Sequence, residues 1–283
     1  MSVSWDDLSD LVQAKEQDKN ADNLLLVDGV NLAFRYLQRK NFDSFSEDYI
    51  RTVTSLGKSY EAKRIVCCFD SGASVYRKSI FPEYKDNRKV ERSEEEQERF
   101  TAFFNCLNDT IDALPYEHFK FKGIEADDLI AYFVKNASEQ YSHTWIVSSD
   151  RDLYQLLKPN VSIFNMYSRK EITIDTLLET TGLSPKEYAF SRIIEGDTGD
   201  NIKGIEGIGP KRAAELVKEY KTLDNLLAAL PIKGKSKYIQ NLNAGSDILR
   251  RNEKLINLLS YNADALASVE KRETVAELLE KAI

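Results

Sequence analysis

The sequence is poor in the residue types on which many metal, redox and covalent sites depend. It has three cysteines and two histidines among 283 residues. Cys67 and Cys68 are adjacent in the apolar run IVCCF, Cys106 stands alone, and no C-x-x-C pair occurs. We therefore expect reduced core thiols rather than disulfides or a zinc site. With only His118 and His143 available, a histidine-rich metal site and a Ser-His-Asp triad are disfavoured.

Long hydrophobic runs are also missing. No stretch approaches the roughly 18 apolar residues that would indicate a membrane-spanning helix, so we expect neither a span nor a membrane partner. The first residues, MSVSWDDLSDLVQAKEQDKN, are polar and of mixed charge, without the apolar centre of a secretory signal. We expect a cytoplasmic protein whose 283 residues, 42% of them hydrophobic, build one or two domains.

Four short apolar runs have the composition of buried strands, and three of them end in or next to aspartate. Helical spacing predicts helices between them. Because near-continuous apolar strands alternate with helices, we predict an α/β fold with a mostly parallel sheet and helices on both faces. The predicted strands are LLLVDG (24–29), RIVCCFD (64–70), TWIVSSD (144–150) and SIFNMY (162–167), with helices over 47–62 and about 125–140.

Three segments depart from this alternation. Residues 1–23 are predicted to form a polar arm, and residues 24–183 the α/β core. Within that core, 74–99 is a long charged insertion that leads into a helix with an apolar face. Residues 184–283 contain no convincing strand and are predicted to form a small helical domain.

Acidic residues gather at the predicted strand ends and helix starts. Asp28, Asp70 and Asp150 end the three strands, and parallel α/β sheets bind ligands at that edge. Taken singly, each acid has an ordinary explanation as an Asx turn, a helix-dipole partner or an N-cap. Together they would repel one another, whereas Mg²⁺ or Mn²⁺ would bind them. The remaining acids of this set are Glu125, Asp127, Asp128, Asp152, Asp197 and Asp200.

Such a cluster has a recognisable chemical use. Two divalent ions can activate water and stabilise the leaving oxygen of a phosphodiester without a nucleophilic side chain. The net charge of −7 at first argues against a polyanionic partner. Removing the nine candidate acids from that count leaves +2 for the rest of the chain, whose basic residues bunch within 77–92, 203–221 and 233–237.

A glycine-rich segment, GDNIKGIEGIGPKRAAELVKEY (199–220), is the second strong signal. Gly207 and Gly209 permit a tight turn, and the proline that follows suits the first turn of a helix. Free N–H groups at a helix start bind phosphate, and Lys211 and Arg212 add positive charge there. A plain connection between helices, with lysines for solubility, is the alternative interpretation.

Seven motifs follow one another in order from about residue 24 to 243: VDGVN (27–31), FD (69–70), FPEYKDNR (81–88), GIEADD (123–128), SSDRDLYQLL (148–157), GDTGDNIKGIEGIGPKRA (196–213) and GKSKYIQNLN (234–243). In this combination the chain resembles the 5′-nuclease or flap endonuclease family. The resemblance is strongest to the stand-alone 5′-exonucleases of T-five-like tailed phages. The 5′-nuclease domain of bacterial DNA polymerase I is also similar.

The resemblance implies two or more Mg²⁺ ions, with Mn²⁺ as a substitute, in a 5′-3′ exonuclease and flap endonuclease of phage or bacterial DNA replication and repair. Its substrate would be DNA with a 5′ end, a 5′ flap or a junction of single and double strand. The first ion would be served, partly through water, by Asp28, Asp70, Glu125, Asp127, Asp128 and Asp150. The second would be served by Asp150, Asp152, Asp197 and Asp200.

The resemblance also implies roles in DNA binding. Lys85 and Arg88 would contact the scissile phosphate and, with Asp150 and Asp152, form the catalytic set. Tyr84 would stack on a terminal base, and Arg35 would touch the same phosphate. Residues 74–115 would form a helical arch, through or under which a single strand passes. The glycine hairpin would be a helix-three-turn-helix that carries K⁺ on backbone carbonyls and grips the duplex through Gly207, Gly209, Lys211 and Arg212, with Lys237 further along.

Three alternatives stay open at this point. A non-catalytic DNA-structure binding module could keep the scaffold, although a decayed site would be expected to lose carboxylates. A phosphatase with Asp28 or Asp70 as nucleophile, or a PIN-type ribonuclease, would share the strand-end acids. The basic glycine hairpin argues against a small-molecule phosphatase. We expect a monomer, with neither a polymerase domain nor a sliding-clamp motif in the last residues, VAELLEKAI.

Overall fold

The computed structural model describes residues 22–88, 92–269 and 275–283, so the predicted polar arm lies almost wholly outside the described residues. Its main sheet consists of β1 (Asn23–Asp28), β2 (Ala62–Phe69), β3 (Glu117–Lys120), β4 (His143–Val147), β5 (Val161–Asn165) and β6 (Lys170–Ile172). The strand order is β3-β2-β1-β4-β5-β6. All neighbours pair in parallel except β5 and β6, which are antiparallel. The predicted mostly parallel sheet is confirmed.

Helices cover both faces of this sheet. The first five are α1 (Gly29–Ala33), α2 (Phe45–Ser59), α3 (Val75–Ile80), α4 (Glu94–Asp112) and α5 (Ala126–Asn136). Strand β1 shows how both faces are filled, because Leu24 and Leu26 join the core that contains α5. Leu25 and Val27 join the core that contains α2 and α4. All six residues of β1 are buried, which explains its nearly continuous apolar sequence.

The sequence prediction missed the two edge strands. In β3, the sequence EHFK is exposed at three of its four positions, so it carries no apolar signature. Strand β6 has only three residues, two of them exposed. Edge strands with one solvated face do not need the continuous apolar composition on which the prediction rested.

The C-terminal part is helical apart from one short ladder. Its helices are α6 (Ile174–Thr181), α7 (Pro185–Glu195), α8 (Pro210–Tyr220), α9 (Leu223–Ala229), α10 (Lys237–Asn243), α11 (Ser246–Ile256), α12 (Leu258–Ala267) and α13 (Val275–Glu280). Strands β7 (Gly196–Asp197) and β8 (Ile202–Lys203) pair antiparallel, which corrects the expectation that 184–283 contains no strand. They are too short for a periodic signal. Gly204 ends this ladder, where a Cβ atom would lie 2.0 Å from the Glu195 carbonyl oxygen.

Two buried amide side chains join the C-terminal helices to the sheet domain. Gln155 Nε2 donates to the carbonyl oxygens of Asp152 (2.8 Å) and Ile256 (3.0 Å), and its Oε1 accepts from Leu258 N at 3.0 Å. Asn262 Nδ2 donates to the Asp128 carbonyl oxygen at 2.7 Å. The break between α11 and α12 is therefore tied directly to residues that carry the candidate acids.

Within the predicted arch, 74–115, the structure shows α3, a 3₁₀ turn at Asp86–Arg88, and α4. Residues 89–91 between them lie outside the described residues, and passage of a strand through this segment stays a prediction. Helix α4 begins with a capping box between Ser93 and Glu96. In the parts of the chain described here, no helix combines the length and apolar character needed to cross a bilayer.

Candidate active site

The three strand-end aspartates do perform the ordinary structural roles that each would have alone. Asp28 Oδ1 accepts from Asn31 N (3.2 Å) at the start of α1, and its Oδ2 accepts from Ser148 Oγ (2.8 Å). Asp70 Oδ1 accepts from Ala126 N (2.7 Å) at the start of α5. Asp150 Oδ1 accepts from Asp152 N at 2.8 Å. These bonds fix the carboxylates at the carboxyl edge of the sheet.

Four acids form what we call the uncompensated group: Asp28, Asp70, Asp127 and Asp150. None of them has an ion pair with a described lysine or arginine. Burial, followed by the charges of Asp70 and Asp150, raises the pKa of Asp28 to about 8. Burial, then Asp150 and Asp28, holds the pKa of Asp127 well above its usual range. Desolvation likewise raises the pKa of Asp70 and of Asp150.

The other five acids are held by basic side chains, and we call them the cation-paired group: Glu125, Asp128, Asp152, Asp197 and Asp200. Arg77 lies at the buried end of this group. Its Nη1 donates to Glu125 Oε2 (3.0 Å) and Asp128 Oδ2 (2.7 Å), and its Nη2 donates to Asp128 Oδ1 (2.9 Å). Both Asp128 oxygens are therefore occupied, so the structure does not place Asp128 as a direct metal ligand.

Residues of the FPEYKDNR motif hold Asp200 and also contact Glu125. Lys85 Nζ lies 2.6 Å from Glu125 Oε1 and 3.7 Å from Asp200 Oδ2, and Arg88 forms an ion pair with Asp200. The Tyr84 hydroxyl lies 2.9 Å from Glu125 Oε2 and 2.8 Å from Asp200 Oδ2. Burial by itself would raise the pKa of Glu125, but Arg77 and Lys85 outweigh it and lower that pKa. Glu125 is thus ionised and already neutralised.

Arg192 of α7 holds the last two acids. Its Nε donates to Asp152 Oδ1 at 3.1 Å, and its Nη2 donates to Asp197 Oδ2 at 2.7 Å. Burial and the charge of Asp150 nevertheless raise the pKa of Asp152 to about 7. The opposite charge of Arg192 acts against that rise.

The nine acids thus form two neighbouring groups rather than one closed cage. Across the described residues, no three acidic, histidine or cysteine side chains stand close enough to form a finished coordination shell. The physical reason is that like charges separate and internal cations draw five of the carboxylates aside. The uncompensated group still fits a hard divalent cation, because its donors are all carboxylate oxygens and none of them has an ion pair with a described lysine or arginine. The charge of Lys85 lowers the pKa of Asp70, Asp127 and Asp150, but it does not outweigh their burial.

The predicted DNA-binding residues divide into exposed and buried ones. Arg35, in the 3₁₀ helix Phe34–Tyr36, is exposed, as are Lys211 and Lys237 at the starts of α8 and α10. Tyr84 is only 2% exposed and belongs to the core of the helical domain. The Tyr84 ring is therefore closed to a base in this arrangement, and its hydroxyl contacts acids of the site, so stacking on a terminal base stays a prediction that needs the ring to be uncovered.

The glycine hairpin has the predicted backbone form. Gly207 has a φ of +82°, a region that favours glycine, and Gly209 is the N-cap of α8 without a side-chain cap. Arg212 Nη1 donates to the Gly207 carbonyl oxygen at 2.6 Å, and its guanidinium lies 4.4 Å from the centre of the Tyr238 ring. The uncapped helix start leaves backbone N–H groups available to an anion.

Sequence reasoning missed two arginines. Arg77 belongs to a charged insertion, where basic residues usually lie on a solvated face, yet it is 4% exposed. Arg192 lies in α7, five residues before Asp197, in a part of the chain to which the sequence analysis assigned no basic residue of the site. The five-residue spacing of Arg192 from Asp197 gave no signal, because ion pairs along a helix join residues three or four positions apart.

Comparison with known proteins agrees with this geometry. A profile described as 5′-3′ exonuclease, N-terminal resolvase-like domain, matches residues 23–182, and one described as 5′-3′ exonuclease, C-terminal SAM fold, matches residues 183–275. The flap endonuclease of Escherichia phage T5 is 38% identical over 275 residues, which cover 95% of this chain and 94% of that protein. DNA polymerase I of Rhizobium leguminosarum is 30% identical over 269 residues, and the match covers 88% of this chain but only 26% of the polymerase.

A solved structure has the same fold. It is a pseudo-enzyme–product complex of the phage T5 flap endonuclease with DNA and metal ions. It superposes with a TM-score of 0.85 at 38% identity and covers 88% of this chain and 94% of its own. The α/β core followed by a SAM-like helical domain is thereby confirmed. With both profiles matched in order along most of its length, the chain belongs to the 5′-3′ exonuclease family and is a nuclease.

Proposed function

We propose that this nuclease hydrolyses DNA phosphodiester bonds at 5′ ends, 5′ flaps and junctions of single and double strand, with Mg²⁺ ions at the acidic edge of the sheet. One observation carries the proposal. Four carboxylates repel one another without an ion pair to a described lysine or arginine, and burial raises the pKa of each despite the nearby charge of Lys85. Such a group is costly unless a cation joins it. A DNA-binding module without catalysis would have no need of it.

Two sets of acids would hold the ions. The uncompensated group is the stronger candidate for the first, with Glu125 at its border. Asp152, Asp197 and Asp200, with Asp150, would serve the second after their basic partners move. Ions held there supply the positive charge that polarises the phosphate and makes water a better nucleophile at neutral pH.

Lys85 and Arg88 are proposed to bind the phosphate that is cut. Burial by itself would lower the pKa of Lys85, but the charges of Glu125 and Asp200 outweigh it and raise that pKa. The ammonium group is therefore charged at any physiological pH. Lys85 has a positive φ of 58°, and its backbone N–H donates to the Asp200 carbonyl oxygen at 3.0 Å, so the position of this residue is fixed. A charged donor fixed at the site can stabilise negative charge that develops on the phosphate.

The helical domain is proposed to hold the duplex. The free N–H groups before α8 would bind one backbone phosphate, and Lys211 and Lys237 would add charge along the same strand. Arg212 is already hydrogen-bonded to the Gly207 carbonyl oxygen, so it would support the hairpin, and its charge would attract the DNA backbone. K⁺ on the hairpin carbonyls, Arg35 on the scissile phosphate, and a monomeric active form also remain proposals.

Product mapping tests this function directly. The purified chain would be incubated with a 5′-flap duplex, a nicked duplex and a closed single-stranded circle, with Mg²⁺ and with chelator. We expect cleavage of the flap and the nick near the junction, none with chelator, and no dependence on a free thiol. Cleavage of RNA in preference to DNA would instead favour a ribonuclease, and tight flap binding without cleavage would favour a binding module.

A further inference from the structure

Arg192 stands where the second metal ion would bind. Its side chain is 22% exposed and bridges Asp152 and Asp197, whose side chains are 16% and 20% exposed. These acids come from different elements, since Asp152 follows β4 and Asp197 follows α7. The guanidinium therefore closes the space between two carboxylates that would otherwise repel each other.

Counting the carboxylate oxygens shows how little is left for an ion. Asp152 Oδ1 and Asp197 Oδ2 accept from Arg192 at 3.1 and 2.7 Å. Asp197 Oδ1 accepts from Gly199 N at 2.7 Å. Of these four oxygens only Asp152 Oδ2 has no hydrogen bond among those described. A divalent ion and the guanidinium thus compete for the same ligands.

The neighbouring acid is held in the same manner. Asp200 has Arg88 on one oxygen, and on the other Tyr84 at 2.8 Å and Lys85 at 3.7 Å. By contrast, no described cation is bonded to the uncompensated group. The charge pattern thus separates a first site that attracts an ion by itself from a second site that is already filled by the protein's own cations.

We propose that Arg192 is a built-in cation of the second metal site, which weakens ion binding there until a DNA phosphate draws the guanidinium away. This inference rests on the proposed function. Arginine binds phosphate through two parallel hydrogen bonds, as it binds carboxylates, so the backbone offers Arg192 an equivalent partner. DNA and the second ion then promote each other's binding, because coupling between two ligands is reciprocal. Ions would reach full occupancy only when substrate is present.

Magnesium binding measured by calorimetry tests the competition without relying on cleavage. The full chain, its Arg192→Gln variant and the charge-matched control Arg250→Gln, which changes an exposed residue of α11, would each be titrated with Mg²⁺. We expect the Arg192→Gln variant to bind the weaker ion roughly 5- to 150-fold more tightly, the usual range of such couplings, and the control to match the parent. Weaker binding would show that Arg192 orients the acids for the ion, and unchanged binding would show no competition; either result overturns the proposal.

A double-mutant cycle assigns the effect to the second site. The variant Asp197→Asn removes one of the competed ligands, so adding Arg192→Gln to it should give little further gain. A gain of undiminished size in the double variant would locate the effect elsewhere and overturn the proposal. Circular dichroism spectra of all variants establish that they are folded.

The coupling to DNA is tested with a product duplex that carries a recessed 5′ phosphate. In the parent, this duplex should tighten the weaker Mg²⁺ step, and in Arg192→Gln the tightening should largely disappear. If the duplex tightens Mg²⁺ binding equally in the parent and in Arg192→Gln, Arg192 does not exchange its carboxylate partners for a DNA phosphate, and the proposal is overturned. Failure of the proposed function would appear separately, as absence of flap cleavage by the parent chain, whereas the Mg²⁺ titrations report on Arg192 in either case.

Discussion

Replacement of Arg77 by methionine should destabilise the protein strongly. The Arg77 side chain is 5% exposed, and those of its partners Glu125 and Asp128 are 4% and 1% exposed. Methionine keeps much of the packing volume but leaves two buried carboxylates with less compensation, and Arg77 Nε also gives up its bond to the Leu255 carbonyl oxygen, 3.0 Å away. Breaking a buried ion pair typically costs about 3–5 kcal/mol. We expect a loss of that order in the free energy of unfolding.

Guanidinium unfolding in chelator, followed by circular dichroism, measures this loss. At roughly 2–4 °C per kcal/mol for a chain of this size, the melting temperature should fall by about 10 °C. Arg39→Met is the matched control, because Arg39 is 36% exposed and pairs with Asp48 at the surface. Such pairs contribute about 0–1 kcal/mol.

A compensated variant separates charge from packing. Adding Glu125→Gln and Asp128→Asn to Arg77→Met removes the uncompensated charges, so most of the lost stability should return. If the free energy of unfolding of Arg77→Met lies within about 1 kcal/mol of the parent's, Arg77 does not form these buried ion pairs in solution.

Three further predictions concern the acids and Lys85. Asp127→Asn should abolish cleavage yet stabilise the chelated protein, because it removes a repelled carboxylate; cleavage at the parent rate would contradict its role. Lys85→Ala should lower single-turnover cleavage by about 10²–10³ while duplex affinity changes little; an equal loss of affinity with unchanged turnover would indicate positioning alone. In chelator, the free energy of unfolding should fall as pH rises from about 4 to 8. Burial raises the pKa of Asp28 to about 8 and that of Asp152 to about 7, against an ordinary value of 3.8, so the folded protein binds more protons than the unfolded chain in this range. Saturating Mg²⁺ should abolish or reverse that slope in denaturant titrations, and a slope unaffected by Mg²⁺ would contradict the assignment of these acids.

The sequence was sufficient to predict the sheet and the edge at which the acids gather. Strands buried on both faces carry a dense apolar signature. Asp28 ends such a strand, Asp70 directly follows one, and Asp150 lies three residues beyond another. The exposed strand β3 has no comparable pattern. Two-residue strands such as β7 depend on a close backbone approach at Gly204, which no periodicity reveals.

The partners of the acids were not predictable in the same manner. A basic residue can neutralise a distant carboxylate or lie in solvent with the same local sequence around it. Arg77 reaches Asp128 across 51 positions of the chain, and Arg192 reaches Asp152 across 40. Tyr84 was expected on a base because its motif suggested it, whereas burial places its hydroxyl between Glu125 and Asp200. Long-range pairing of this kind is decided by the fold.

The side-chain amide of Gln155 fixes the spacing between the α/β core and the helical domain. It bonds at once to the carbonyl of Asp152 and to both sides of the break between α11 and α12. A duplex held by the helical domain would therefore meet the acidic edge at a fixed distance from the point where it is held, measured along the axis of the duplex. The nucleotide at which the strand is cut would then be selected by counting along the backbone rather than by reading the bases.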